Sequence, residues 1–185
     1  MIVEPDDGLD PVLEFIMSAQ TSLLIKQFTF TEPSLIDAVI DRKNAGVDVR
    51  IMLNPQRSGG DRANDESYET FKTAGIDVQW SSPKFYVTHE KSIVVDESAA
   101  MVATYNLMIK YFTLTRDYGI ITHDPQHVAR SSRCSTPTGS IETSHRPDTK
   151  DCCGVTPIPG TTWRASSIPL SASCTSSTPP SMSTP

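Results

Sequence analysis

The sequence predicts an α/β fold, a mostly parallel mixed sheet flanked by helices, followed by a tail that does not fold. Three observations lead there. Ala45-Gly46-Val47-Asp48-Val49 is echoed by Ala74-Gly75-Ile76-Asp77-Val78. In each copy a glycine suited to a left-handed cap closes a helical pattern, and strand formers begin at once. Around these copies the order is strand, helix, strand, helix, strand, which builds a parallel sheet through right-handed crossovers. Past Arg130 the apolar periodicity stops, and eight of the fourteen prolines and all four cysteines lie beyond that point. Residues 1–130 therefore read as one domain and 131–185 as a Ser/Thr/Pro-rich tail.

The elements follow in order. Gly8 to Gln20 places Leu9, Val12, Leu13, Phe15, Ile16 and Met17 on one helical stripe, with Asp10 as the expected N-cap and Pro11 at the first helical position. Ser22 to Phe30 is a largely apolar run of strand formers, as expected of a strand covered on both sides. Glu32-Pro33 opens a helix through about Asn44 that buries Leu35, Ile36, Ala38, Val39 and Ile40. Further strands are expected at 22–30, 47–53, 76–80, 86–95, 99–105 and 117–122. Asn54 to Asn64 is a polar Gly/Pro loop after a strand end, where open α/β sheets place ligand-contacting loops, and its Arg57 and Arg62 suit a polar headgroup or plain solvation.

Charge and composition exclude some functions. Residues 1–130 carry 19 acidic against 12 basic side chains, which disfavours holding duplex nucleic acid by its phosphates. The start, Met1 to Asp7, has no basic and apolar leader pattern, and no apolar run reaches the length of about eighteen residues needed to span a bilayer. As written, the chain is expected to be soluble and cytoplasmic by default, with export open if translation starts upstream. The cysteines, Cys134, Cys152, Cys153 and Cys174, do not decide the compartment, and the adjacent Cys152-Cys153 lacks zinc or redox spacing. His123 and His127 stand four apart at a helix start, but no third metal ligand accompanies them. Phe85 and Tyr86 read as core aromatics, or as an acyl or base-stacking surface.

Chemistry concentrates in Thr88-His89-Glu90-Lys91-Ser92-Ile93-Val94-Val95-Asp96. Strand alternation sends His89 and Lys91 to one face and Asp96 to the other. Downstream, Thr104 and Asn106 share a face, and Asp117 follows Arg116. A neutral imidazole nucleophile, a cation and amide and hydroxyl donors for phosphate oxygens, and a carboxylate to fix the imidazole tautomer make a phosphoryl-transfer set that needs neither metal nor other cofactor.

The spacing His89-x-Lys91-x4-Asp96, followed by Ala103-Thr104-Tyr105-Asn106 and Arg116-Asp117-Tyr118-Gly119, closely resembles the phospholipase D superfamily over nearly all of residues 1–130. The resemblance implies that His89 attacks a phosphodiester to give a phosphohistidine, that Lys91, Asn106 and Thr104 bind the phosphate oxygens, and that Asp96 is structural. Asp117 stands where the family usually has a glutamate that orients the histidine, and Ala103 replaces a usual glycine. The family's sites use two such motifs face to face, and this sequence has one. The expectation is a phosphodiesterase on phospholipid headgroup esters, working as a homodimer that supplies two copies of His89. The alternatives are a dimeric endonuclease with the same chemistry and an inactive remnant that only mediates association.

The tail resembles neither the family's linker nor its second lobe, and its Ser, Thr, Pro, Arg and Cys mixture is what a shifted reading frame in a GC-rich gene yields. A frameshift that replaced a second lobe is expected ahead of a native disordered segment. Translation of the coding DNA beyond codon 130 in the other two frames should then show a second His-x-Lys-x4-Asp, and its absence from both would refute the frameshift.

Overall fold

Each Ala-Gly repeat closes its helix in the same way. Gly46 and Gly75 take positive φ, 92° and 72°, and the next amide reaches five residues back, Val47 N–H to Arg42 O at 3.1 Å and Ile76 N–H to Phe71 O at 3.0 Å. Such a closure satisfies carbonyls that a helix end leaves bare and turns the chain directly into a strand. The computed structural model describes residues 1–57 and 59–133. The expectations for the remainder of the tail, its cysteines included, lie outside those residues.

In chain order the elements are β1 (Ile2–Glu4), α1 (Asp10–Met17), β2 (Ser22–Gln27), α2 (Pro33–Asn44), β3 (Asp48–Leu53), α3 (Asp65–Thr73), β4 (Asp77–Trp80), β5 (Ser92–Val95), β6 (Ala99–Ala103), α4 (Ile109–Thr113), β7 (Asp117–Thr122) and α5 (Pro125–Arg133). The strands form one mixed sheet in the order β1-β7-β6-β5-β2-β3-β4, so the fold is the expected helix-flanked α/β sheet. The balance of pairings differs from expectation. Among the described residues β2, β3 and β4 pair in parallel, whereas β2/β5, β5/β6, β6/β7 and β1/β7 are antiparallel. For β5 and β6 the cause is connection length: the three residues between them allow a hairpin but no crossover helix.

The main core lies on one face, where α1, α2 and α3 cover Leu23, Ile25, Val49, Ile51, Ile93 and Val95. On the other face Val128 of α5 covers Val94, Ala100 and part of Leu24. Helix α5 runs three residues past the compositional boundary at 130, because the Ser132 hydroxyl donates to Val128 O at 3.0 Å and is absorbed in the last turn.

Three strands are shorter than expected. After Gln27 the backbone leaves the sheet: Asn64 Oδ1 takes the Phe30 N–H at 2.9 Å and Thr29 O accepts from Leu107 N–H at 3.0 Å. The 86–95 run pairs only from Ser92, since the Thr88 N–H goes to the Asn54 side chain. The 99–105 run closes at Ala103, after which Thr104 N–H turns to Tyr118 O at 2.9 Å. Asp10 is not the cap of α1. It stands inside the first turn, where its charge faces the positive helix end, and Leu9 caps through its carbonyl. β1, three residues long, gave no sequence pattern.

Gly119 in β7 has a packing reason. A Cβ there would lie 2.6 Å from the hydroxyl of the fully buried Tyr105. Gly119→Ala is expected to destabilise the chain by about 1–3 kcal/mol in urea titration, with most of that loss relieved in a Tyr105→Phe background. Equal losses in both backgrounds would refute the contact.

Candidate active site

The site forms where the β5–β6 ladder runs out. Ala103 N–H donates to Lys91 O at 3.0 Å, which extends the ladder by one step and sets Lys91 beside the end of β6. Lys91 is buried at 4% exposure, whereas His89 is open to solvent. Their side chains converge: Lys91 Nζ lies 3.2 Å from each His89 ring nitrogen and donates to His89 O at 2.8 Å. The Phe28 ring meets the imidazole edge-on at 4.6 Å and also lies 5.6 Å from Lys91 Nζ.

Burial first, and then the Lys91 cation, hold the His89 pKa below its usual value. The shift favours the neutral imidazole, whose lone pair faces the Lys91 ammonium. Burial likewise lowers Lys91, against the upward pull of the Asp117 charge. Glu90, pointing the opposite way, pairs with the buried Lys26 and accepts from Ser92 Oγ at 2.9 Å, so that second lysine is neutralised away from the site.

Asp96 lies at the far end of β5. Its carboxylate accepts the N–H groups of Gln20, Thr21 and Ser22, the closest contacts being 3.0, 2.7 and 2.9 Å, together with the Thr21 hydroxyl at 2.9 Å. Partial burial opposes ionisation, yet these donors carry its pKa below the usual carboxylate range. It takes no part in the cluster around His89.

Asp117 opens β7, but its carboxylate accepts from Thr104 Oγ1 at 2.7 Å and Thr115 Oγ1 at 2.6 Å, and no hydrogen bond joins it to His89. An aspartate is one methylene shorter than the glutamate expected there, and the two threonines hold it back. The Thr104 hydroxyl is engaged by Asp117 and by the Tyr118 N–H at 3.0 Å. Thr104 is exposed while Asn106 is buried, so the irregular turn after β6 breaks their expected common face.

Beside the expected Asn106, sequence reasoning missed two buried polar side chains at this end of the sheet, Gln27 and Thr29. Gln27 Nε2 and Oε1, Thr29 Oγ1 and Asn106 Oδ1 have no hydrogen-bond partner. Ser92 pairs with Lys26, so Gln27 and Lys91 follow as the next positions outward on their strands, and the Leu107–Thr29 bond brings Asn106 to the same end. Buried polar atoms are rarely left unpaired without a ligand or water. The signal was present as Gln27 and Thr29, two polar residues of equal parity in an otherwise apolar run. Around them, Asn64 donates to Phe28 O and Asn54 O, both at 2.9 Å, and Asn54 Oδ1 accepts the Thr88 N–H at 3.0 Å. The two asparagines thus brace the backbone on both sides of His89. The paired arginines of this loop are neutralised, Arg57 by Asp61 and Arg62 by Asp65, and His127 meets the Thr122 hydroxyl at 3.4 Å.

A family profile described as "Cardiolipin synthase, PLD-like domain" matches residues 12–133. The chain belongs to the phospholipase D superfamily. It is 28% identical over 119 residues to a mitochondrial cardiolipin hydrolase of Xenopus tropicalis, covering 64% of this chain and 55% of that protein. It is 27% identical over 124 residues to one of Chlamydomonas reinhardtii, covering 66% and 53%. The chain thus spans about half the length of the curated relatives it matches. The crystal structure of the phospholipase D family member Nuc from Salmonella typhimurium superposes with a TM-score of 0.63 at 25% identity, over 71% of this chain and 86% of that one.

On the edge strand β1, separated from β5 by β7 and β6, lies a carboxyl with no sequence signature. Glu4 is fully buried, its oxygens meet only the Gly8 amide, without good hydrogen-bond geometry, and it stands in register with Asp117. Burial, opposed by the Gly8 amide and reinforced by the charges of Asp7, Asp117 and Asp6, pushes its pKa to about 7. A carboxyl raised in the fold stabilises it fully below the unfolded value of 4.5, and this contribution is lost as pH rises through about 7. Glu4→Gln, neutral throughout, should gain up to about 3 kcal/mol on wild type between pH 4.5 and 8 in urea unfolding. Parallel profiles for the two proteins would refute a protonated Glu4.

Proposed function

We propose that the chain is a phosphodiesterase that acts on phospholipid headgroup esters, by hydrolysis or phosphatidyl transfer, through a covalent phosphohistidine. The observation that carries this reading is the neutral, solvent-open imidazole of His89 held 3.2 Å from the buried Lys91 ammonium. The relatives named cardiolipin hydrolase support a phospholipid diester as substrate.

A His89 ring nitrogen attacks phosphorus, the P–N bond forms and the ester P–O bond to the leaving alcohol breaks. Lys91 stabilises the charge that gathers on the phosphoryl oxygens, and the Asn106 amide turns its NH2 end towards them. The leaving alkoxide needs a proton, and general-acid help of this kind is worth roughly 10²–10⁴-fold. Among the described residues no second histidine joins this cluster, so a second copy of the chain supplies its own His89, in the protonated imidazolium form, which gives its proton to the leaving alkoxide and takes one back from the attacking water or alcohol. Water or an alcohol then attacks phosphorus, the P–N bond breaks and the imidazole is restored. Asp96 braces β5 from behind, and Asp117 acts on Lys91 through charge and on Thr104 through its hydrogen bond.

Purified chain should hydrolyse phosphatidylglycerol or cardiolipin at a rate that His89→Ala reduces to background and Lys91→Ala reduces by about 10²–10³-fold. Its mass in solution should be that of a dimer. Cleavage of DNA and not of lipid would transfer the reading to an endonuclease, and a monomer inert on both would leave only an association role.

A further inference from the structure

The loop between β4 and β5 is held at both feet and apolar at its tip. Ser81 N–H donates to Leu53 O at 2.8 Å and Thr88 N–H to Asn54 Oδ1 at 3.0 Å, so each foot is fastened to the end of β3, and Ser81 and Asn54 are buried. Between them a turn forms in which Lys84 N–H meets Ser82 Oγ and Phe85 N–H meets Ser82 O, each at 3.3 Å. Residues 82 to 87 are all exposed, with Phe85 at 67%, Tyr86 at 105% and Val87 at 42%. The aromatics expected in the core are therefore outside it, contiguous, and two residues from His89. Single exposed apolar side chains need no explanation, but a fastened cluster beside a catalytic centre marks a contact surface.

We propose that Ser82–Val87 is a membrane-docking loop that seats in the headgroup layer of an anionic phospholipid bilayer and sets the height of His89 above it. The inference rests on the phospholipid reading of the site and adds the surface on which that chemistry takes place. Four features select this partner. Ser81 to His89 contains no acidic residue and one cation, Lys84, in a chain with 22 acidic and 16 basic side chains. An anionic surface repels the rest of the chain and turns this end towards itself. Phe, Tyr and Val with a neighbouring Lys suit an interface, where rings and methyls sink, the hydroxyl stays at headgroup level and the ammonium reaches out to phosphate. The tip is exposed over six consecutive residues; the exposed apolar side chains Val102, Tyr118 and Ile120 lie elsewhere, on β6 and β7. A nucleic acid held by its backbone would call for several cations where the loop has one.

The test is co-flotation of the full chain with phosphatidylcholine vesicles, with and without phosphatidylglycerol. Wild type and His89→Ala are expected to float with the anionic vesicles alike. Combined Phe85→Ser, Tyr86→Ser and Val87→Ser substitutions should cut the partition coefficient at least about tenfold, with an unchanged thermal midpoint, and Lys84→Glu should abolish the preference for anionic vesicles. Hydrolysis of soluble bis(p-nitrophenyl) phosphate, which needs no bilayer, should be the same in the triple variant as in wild type. The proposal is overturned if wild type does not float, if the triple variant floats equally, or if the triple substitution turns a dimer into a monomer without changing flotation, which would assign the loop to a second copy of the chain. Flotation without any diester hydrolysis would uphold the loop and sink the enzymatic reading, so the two fail separately.

Discussion

The hydrogen bonds that Asp96 accepts from three successive amides, at Gln20, Thr21 and Ser22, are the constraint on which the placement of the site depends. β5 has four residues and lies in the middle of the sheet, between β2 and β6, and to its short ladder on each side the Asp96 carboxylate adds a third anchor. The carboxylate hooks it to the start of β2, and the Asp96 N–H returns a bond to Ser22 O at 2.9 Å. Bonds from amides to a charged acceptor are each worth about 1.5–3 kcal/mol. With one end pinned, the pleat carries Ile93 and Val95 into the core and brings Lys91, with His89 beyond it, to the opposite end. A slip of one residue would send every side chain of β5 to the other face. The turn that follows has Asp96 and Glu97 at φ 51° and 50°, a left-handed conformation that an aspartate tolerates better than most residues.

At the other end the fold tolerates polar groups that cost stability. Lys26 is buried but neutralised by Glu90, whereas Gln27, Thr29 and Asn106 keep atoms without partners and Lys91 is buried beside them. Unpaired buried polar atoms each cost about 1–3 kcal/mol, so a sheet built for stability alone would place apolar side chains there. Strain of this kind gathers where a ligand supplies the missing partners. Asn54 and Asn64 limit the damage by holding the backbone of Phe28, Phe30 and Thr88 in place, which keeps the Phe28 ring against His89.

Local chemistry in the sequence accounts for the helix closures at Gly46 and Gly75, the β2–α2–β3–α3–β4 run and the existence of the His89/Lys91 cluster, because caps, alternation and short-range spacing are properties of neighbouring residues. The sense of the remaining strands was harder to read, since a buried strand shows the same apolar run whichever way it points. Strand ends were overestimated for a similar reason: the 86–95 and 22–30 runs keep strand-like composition after their backbone groups have found partners in Asn54, Asn64 and Leu107. For Phe85 and Tyr86 composition left two readings, core or an exposed contact surface, and the two fastened feet of their loop put them outside the core.

By itself, the sequence determined the α/β class, the proximity of His89 to Lys91 and the residue types available at the site, all of which follow from periodicity and side-chain identity over short stretches. Only the tertiary structure decided which partners those residues have: Asp96 with Gln20 to Ser22, Asp117 with Thr104 and Thr115 in place of His89, and Glu4 in register with Asp117. These contacts join residues far apart in the chain, and their geometry depends on strand register, on the length of a side chain by a single methylene and on what else competes for each hydrogen bond.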